Sequence, residues 1–317
     1  MNIVLLDRDT LAENINFPPP KLTGCNWREY ETTAANQVVE RALDAQVIIT
    51  NKVPLRGELI SRLPVLQLIA VAATGVDHID IAAAQQRNIA VCNVSNYAQH
   101  SVVEHVFSML LALRRHTPAY HQAVLRGDWS RSDNFTLHGA PIHELRGSTL
   151  GVIGTGNLGQ AVAHLADAMG MYVLLAEKRG AQFTRPAHAP FEEVLYNSDV
   201  LTLHVPLTPQ TRHLIGRAEL ASMKPNAILI NTARGGVVDE AALADALRAG
   251  HIGGACIDVL NEEPPPPDHP LLAADLPNLL ITPHIAWASI EAQQRLAAEV
   301  VANIEAYFSG KQRNRIV

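Results

Sequence analysis

Cysteine is scarce in this chain: Cys25, Cys92 and Cys256 are the only three in 317 residues, and they stand far apart. Their separation sets aside a zinc knuckle, a redox dithiol and a disulfide scaffold, so no metal site is expected and the thiols read as buried residues of a reducing compartment. A long basic run is also missing and the formal charge is -6. There is accordingly no electrostatic footprint for nucleic acid or for an anionic membrane. Apolar runs are short. The most apolar helical stretch, Val106 to Leu113, cannot span a bilayer and is flanked by His105 and Arg114. The opening Met-Asn-Ile-Val-Leu-Leu-Asp has no basic start and reaches a charge at Asp7, so it reads as a first strand rather than a secretory leader. Repeats and low-complexity segments are absent. What is left is a globular chain, expected to be cytoplasmic, whose 48% hydrophobic content can fill the cores of about two domains and whose partners are small molecules.

Apolar runs bounded by polar residues recur at 3–6, 47–50, 68–72 and 89–91, with helically spaced segments between them. A second series follows at 150–153, 172–176, 200–205, 227–230, 255–259 and 279–281. Alternation of this kind predicts α/β architecture with parallel sheets. The spacing of Val102, Val103, Val106, Met109, Leu110 and Leu113 predicts a helix joining two domains. Residues 117–147 have weak periodicity and read as an extended excursion, in which Trp129 and Phe135 are costly to leave in water and invite cover by a second copy. An amphipathic stretch over 290–308 returns the chain to its first domain. The expected fold is two Rossmann-like or flavodoxin-like domains: a discontinuous substrate (catalytic) domain, 1–98 and 286–317, with a dinucleotide-binding domain, 99–285, inserted in it.

The strongest local signal is Leu150-Gly151-Val152-Ile153-Gly154-Thr155-Gly156-Asn157-Leu158-Gly159, a buried strand running through spaced glycines into an Ala-rich helix. Gly154 allows the tight turn, Gly156 lets backbone approach a pyrophosphate, and Gly159 lets helix pack on strand. The helix start then offers unpaired N–H groups and a positive dipole end to phosphate. After the next strand comes Glu177, about 18 residues past Gly159, placed to accept from a ribose 2′-hydroxyl and to repel a 2′-phosphate. NAD is therefore favoured as cofactor, with NADP the alternative because Lys178 and Arg179 follow at once.

In a doubly wound sheet ligands sit beyond the carboxyl ends of the strands, so the polar residues after each apolar run matter most. They are His204-Val205-Pro206, Asn231-Thr232-Ala233-Arg234-Gly235, Asp258 and Pro283-His284. Arg234 suits an anionic substrate, since a guanidinium grips a carboxylate with two charge-assisted hydrogen bonds; alone, it reads equally as a solvated surface residue. His284 suits proton transfer near neutral pH, which the reduction of a ketone requires beside a hydride. Glu263 suits a carboxylate that orients the imidazole and favours its charged form. Singly each has an ordinary structural reading, and the three carry weight only together.

These residues resemble the D-isomer-specific 2-hydroxyacid dehydrogenases over nearly the whole chain. The marks are Ala73-Thr74-Gly75-Val76-Asp77, Asn96-Tyr97 with Ser101-Val102-Val103-Glu104-His105, the glycine fingerprint, Asn231 to Gly235, Asp258-Val259 with Glu263-Pro264-Pro265, and Thr282-Pro283-His284-Ile285-Ala286-Trp287. The segment from His284 to Ser289 is most similar to the glycerate dehydrogenase (hydroxypyruvate reductase) branch. Two departures are Asn157-Leu158 at the helix start and Glu rather than Asp at 177. The resemblance implies Arg234 as binder of substrate carboxylate and carbonyl, His284 as acid/base and Glu263 as its partner. It implies that backbone at Ala73, Thr74 and Gly75 holds the carboxylate, with Trp287 on the pocket wall, and that Asp258 and main chain near Thr232 hold the nicotinamide carboxamide. Ser101, Thr155, Asn157, Leu158, His204, Val205, Pro206, Thr211 and Ala233 complete the expected cofactor contacts.

The expected activity is reduction of a small 2-keto acid, of the hydroxypyruvate and glyoxylate class, to the D-2-hydroxy acid, with the substrate held between the domains of a homodimer's subunit. Other readings stay open: pyruvate, 2-ketogluconate or phosphite as substrate, or a catalytically silent, corepressor-like NAD sensor. No regulatory extension of the phosphoglycerate dehydrogenase kind is expected.

Overall fold

The computed structural model describes residues 1–273 and 275–317, and its contacts divide them into two compact units, Met1–Ala98 with Trp287–Val317, and Gln99–Ala286. The first unit opens with β1 (Asn2–Leu5), β2 (Asn26–Glu29), α1 (Val38–Ala42), β3 (Val47–Thr50), α2 (Gly57–Ser61), β4 (Leu68–Val71), α3 (Ile81–Gln86) and β5 (Ala90–Cys92). All pairings are parallel and the order is β2-β1-β3-β4-β5, the flavodoxin-like arrangement. Strands β3, β4 and β5 are apolar and wholly buried, as a sheet covered on both faces requires. Strand β2 escapes the apolar-run reading because it is an edge strand, Asn-Trp-Arg-Glu, only half-buried and anchored by Trp27.

The second unit holds α4 (Gln99–Arg114), α5 (Thr117–Leu125), β6 (Thr149–Ile153), α6 (Asn157–Ala168), β7 (Tyr172–Ala176), β8 (His188–Ala189), α7 (Phe191–Asn197), β9 (Val200–Leu203), α8 (Arg217–Ser222), β10 (Ile228–Asn231), α9 (Glu240–Arg248), β11 (Gly254–Ile257) and β12 (Leu279–Ile281). Its seven strands are parallel, in the order β12-β11-β10-β9-β6-β7-β8. The order reverses beside β6, whose neighbours are β7 and β9, and that reversal opens the crevice in which such sheets bind ligands. The excursion over 117–147 is not wholly extended: Pro118 sits in the first turn of α5, where its fixed φ suits a helix start. At the end of α5 and beyond it lie the exposed Leu125, Trp129, Phe135 and Ile142, with Phe135 92% exposed.

The chain closes with α10 (Ile290–Phe308), capped by the Ser289 hydroxyl, which accepts from Ala292 N–H at 3.1 Å. Leu296, Ala297, Val300 and Ile304 on its inner face are fully buried against the first unit's sheet. The chain returns to the first unit one residue later than expected. Ala286 stays with the second unit because its N–H donates to Asp258 and its carbonyl accepts from Ser101 Oγ at 2.7 Å. Among the described residues no helix is long and apolar enough to cross a membrane.

Candidate active site

The turn after β6 is built from glycine geometry. Gly154 has φ +94°, and a Cβ there would lie 2.4 Å from the His204 carbonyl oxygen. A Cβ on Gly159 would lie 2.0 Å from the Gly154 carbonyl, so only glycine lets α6 begin this close to β6. Gly156, the N-cap of α6, has open space where its side chain would be and no capping side chain. This is a cradle for an anion at a helix N-terminus, with Asn157 and Leu158 forming the first turn. Thr155 reaches outward, its Oγ1 3.2 Å from His188 Nε2.

Glu177 follows β7 and is buried. Its Oε1 accepts from Lys178 N–H at 2.9 Å, and its Oε2 accepts from Arg185 Nε at 2.7 Å and Arg185 N–H at 3.2 Å. The hydrogen bond from Arg185 and those from backbone N–H hold this carboxyl at about 2, well below the usual carboxylate range.

Past β9 and β10 the sheet ends in two orphaned polar atoms. His204 Nδ1 and Thr232 Oγ1 are buried and, among the described residues, have no hydrogen-bond partner. The register pairs Leu203 with Asn231, so these residues stand one step further at the same level of adjacent strands. His204 Nε2 lies 3.0 Å from Thr202 Oγ1, and burial holds its imidazole down at about 4, neutral at physiological pH. An amide or ribose with donors and acceptors of its own would satisfy both atoms. Together with the open cradle at Gly156, they fit a nicotinamide dinucleotide. Thr211 is occupied in shaping its loop, donating to Pro206 O at 2.6 Å and accepting from Thr208 N–H at 2.7 Å, with Val205 and Pro206 leading into that turn.

Arg234 leaves β10 on a loop shaped by buried Asn231, which accepts from Ala233 N–H at 3.0 Å and donates to Arg234 O at 2.9 Å. Gly235 packs so tightly that a Cβ would lie 1.9 Å from the Leu260 carbonyl carbon. One Nη of Arg234 donates to Ala233 O at 2.8 Å. After β12, His284 adopts φ +54°, a conformation unusual for a residue with a side chain. Its N–H donates to Asp258 O at 2.8 Å, and its Nδ1 lies 2.6 Å from Glu263 Oε2. Glu263 is pinned in turn, its Oε1 accepting from Leu260 N–H at 2.9 Å. The imidazole thus has one nitrogen fixed by a carboxylate and the ring presented from the carboxyl end of the sheet.

Asp258 braces this loop. Its Oδ1 accepts from Ile285 N–H at 2.9 Å and from Thr282 Oγ1 at 2.6 Å, its Oδ2 accepts from Ala286 N–H at 2.9 Å, and His105 Nε2 lies 3.5 Å away. Both oxygens are engaged in holding Thr282, Ile285 and Ala286 around His284. Ser101, expected to meet cofactor, donates to Ala286 O in the same brace. His105, Thr282 and Asn231, not singled out as site residues from the sequence, hold the loops that carry Arg234 and His284. The sequence signal was their place inside the quoted motifs.

Gly154 to Gly159, Glu177, His204, Thr232, Arg234, Asp258, Glu263 and His284 share the carboxyl edge of the second unit's sheet. Ala73, Thr74, Gly75 and Trp287 belong to the first unit. There Ala73 O accepts from Val94 N–H at 2.9 Å, Thr74 Oγ1 donates to Val94 O at 2.8 Å, and Asn93 Nδ2 donates to Thr74 O at 2.7 Å, fixing the turn after β4. Trp287 meets Tyr97 edge-on with ring centroids 6.2 Å apart.

Residues 107–286 match the family model described as the D-isomer specific 2-hydroxyacid dehydrogenase, NAD binding domain. The chain is 48% identical to the glycerate dehydrogenase of Methylorubrum extorquens, over 98% of each chain. Among solved structures it is similar to the D-lactate dehydrogenase of Aquifex aeolicus complexed with NAD and lactic acid (30% identity, 98% and 96% coverage, TM-score 0.82). It is also similar to the NADPH-dependent glyoxylate/hydroxypyruvate reductase of Sinorhizobium meliloti (28% identity, 100% and 97% coverage, TM-score 0.82).

Proposed function

Since the chain belongs to the D-isomer specific 2-hydroxyacid dehydrogenases, oxidoreductases that use NAD, we propose that it reduces a small 2-keto acid of the hydroxypyruvate and glyoxylate class to the D-2-hydroxy acid, and runs the reverse reaction. The observation that carries the reading is the His284–Glu263 pair at 2.6 Å, on the same sheet edge as Arg234 and the glycine cradle.

Arg234 binds the substrate carboxylate and carbonyl through a planar, always-charged fork. NADH, held by the Gly154–Gly159 turn, Glu177, His204 and Thr232, supplies when bound the hydride that C2 of the keto acid accepts. His284 provides the matching proton. Glu263 holds the proton of Nδ1 in place, so Nε2 of the imidazolium is the nitrogen that donates to the carbonyl oxygen and is left neutral. The Arg234 charge stabilises the alkoxide as it develops. In oxidation the same nitrogen takes the hydroxyl proton. Asp258, Thr282 and Ser101 hold the His284 loop in position for both directions.

The protein is a homodimer in this reading, with the apolar residues Leu125, Trp129, Phe135 and Ile142 covered by a second copy, and its three free thiols suit the cytoplasm. The test is initial-rate spectrophotometry with NADH and a panel of hydroxypyruvate, glyoxylate, pyruvate and 2-ketogluconate. The expected order places hydroxypyruvate and glyoxylate first. Absence of NADH consumption with every member of the panel would refute the proposal.

A further inference from the structure

The acid at the end of β7 does not stand alone. Glu177 is ion-paired with Arg185 at 2.7 Å, and this arginine is half-exposed at the far end of the loop that leads into β8. The loop is anchored. Glu177 N–H donates to Ala189 O at 2.8 Å, His188 N–H donates to Arg185 O at 3.1 Å, and His188 Nε2 lies against Thr155 Oγ1, in the phosphate-binding turn itself. Arg185 uses its Nε and its backbone N–H on Glu177, while among the described residues neither Nη meets a hydrogen-bond or ion-pair partner. The other nearby arginine is committed elsewhere: Arg179 pairs with buried Glu219 at 2.7 Å and lies over the Phe191 ring.

Charge counting then reverses the simple expectation for this position. An unaccompanied Glu177 would repel a 2′-phosphate. With Arg179 neutralised by Glu219, the group Glu177, Lys178 and Arg185 carries one negative and two positive charges, and the Arg185 Nη atoms are the guanidinium donors not spent on Glu177. A ribose 2′-hydroxyl still finds an acceptor, because Oε1 of Glu177 receives a single N–H and has a lone pair left. A 2′-phosphate, with a charge of about -1.5 to -2 and three acceptor oxygens, finds a guanidinium whose orientation is already fixed.

We propose that Arg185 determines cofactor choice: held by Glu177, it presents its Nη groups to the 2′-phosphate of NADPH while Glu177 serves the 2′-hydroxyl of NADH, so that the protein accepts both dinucleotides. The inference rests on the dehydrogenase reading above and deepens it. Lys178, Arg179, Glu219 and His188 are the other charged or titratable groups at this end, and only Lys178 adds to the attraction.

The test is equilibrium titration of the full-length protein with NADH and with NADPH, followed by nicotinamide fluorescence without substrate. The native protein is expected to bind the two within about tenfold of each other. Arg185→Ala lowers the NADPH-to-NADH affinity ratio by at least about tenfold, as loss of a charge-assisted fork requires. Glu177→Gln raises that ratio, and Arg179→Ala moves it less than about twofold. Rejection of NADPH by more than about 100-fold in the native protein overturns the inference and leaves the dehydrogenase reading standing. An unmoved ratio in Arg185→Ala, or an equal fall in Arg179→Ala, overturns it as well. If neither dinucleotide binds, both readings fall together.

Discussion

Replacing Glu263 by Gln keeps the shape of the pair and removes its charge, which makes it a direct probe of how the imidazole is held. In the native protein Nδ1 of His284 and Oε2 of Glu263 are 2.6 Å apart, with 24% and 34% of the two side chains exposed. Two unit charges 4 Å apart attract by about 1 kcal/mol in water and about 4 kcal/mol at an effective dielectric near 20, and a half-wetted pair lies between. The amide retains a neutral hydrogen bond, so the loss assigned to charge is about 1.4 kcal/mol, equivalent to about tenfold. Keto-acid reduction consumes the protonated imidazole, so its rate falls as pH rises. Without the neighbouring anion the protonated ring is less well stabilised, and kcat for reduction at neutral pH drops by about tenfold. Oxidation, which needs the neutral imidazole, loses less. The assay is kcat in both directions at neutral pH for native protein and Glu263→Gln. Equal losses in both directions would show that Glu263 acts only as a structural prop, and the reasoning would fail.

Arg234→Lys exchanges a two-pronged carboxylate contact for a point charge, and kcat/KM for hydroxypyruvate is expected to fall by about 100-fold; an unchanged value excludes the clamp role. Gly159→Ala places a Cβ where the Gly154 carbonyl oxygen is 2.0 Å away, so α6 must move off β6. That variant should lose about 1–3 kcal/mol in urea unfolding together with most of its NADH affinity, and a native-like value for both would remove the packing argument. Burial holds both His78 and His204 at about 4, below the ordinary histidine value of 6.5. The unfolded chain therefore binds more protons than the folded one between about pH 6.5 and 4, and stability falls as pH drops through that window. Thermal unfolding across it should show a declining Tm whose slope is reduced in His204→Asn; a flat profile contradicts the assignment.

The sequence made some parts of this molecule plain and hid others for physical reasons. The buried strands β3, β4, β6, β9 and β10 are short runs dominated by apolar residues and stand out. Strand β2 is an edge with polar neighbours, and β8 is two residues long, so neither has a run to detect. Helix α5 buries no residue fully, so its period carries no apolar stripe. At the site, Gly154, Gly156 and Gly159 are legible because their spacing is dictated by sterics. His284 and Glu263 lie 21 positions apart, and only the topology that puts β11 beside β12 brings them together. That Asp258 also braces the N–H groups of Ile285 and Ala286 is not encoded in any sequence spacing. Arg185 had no signal at all, since its partner is reached through an irregular loop.

The proton carried by His284 is the step on which the account turns, and it is tested most directly by the rate of NADH consumption with hydroxypyruvate in native protein and in His284→Gln. Turnover by the native protein to the D-hydroxy acid is predicted, with a loss of about 100-fold to 10,000-fold in kcat for the variant while NADH fluorescence titration still shows binding. A variant that turns over at the native rate, in a protein that still binds NADH, would contradict it.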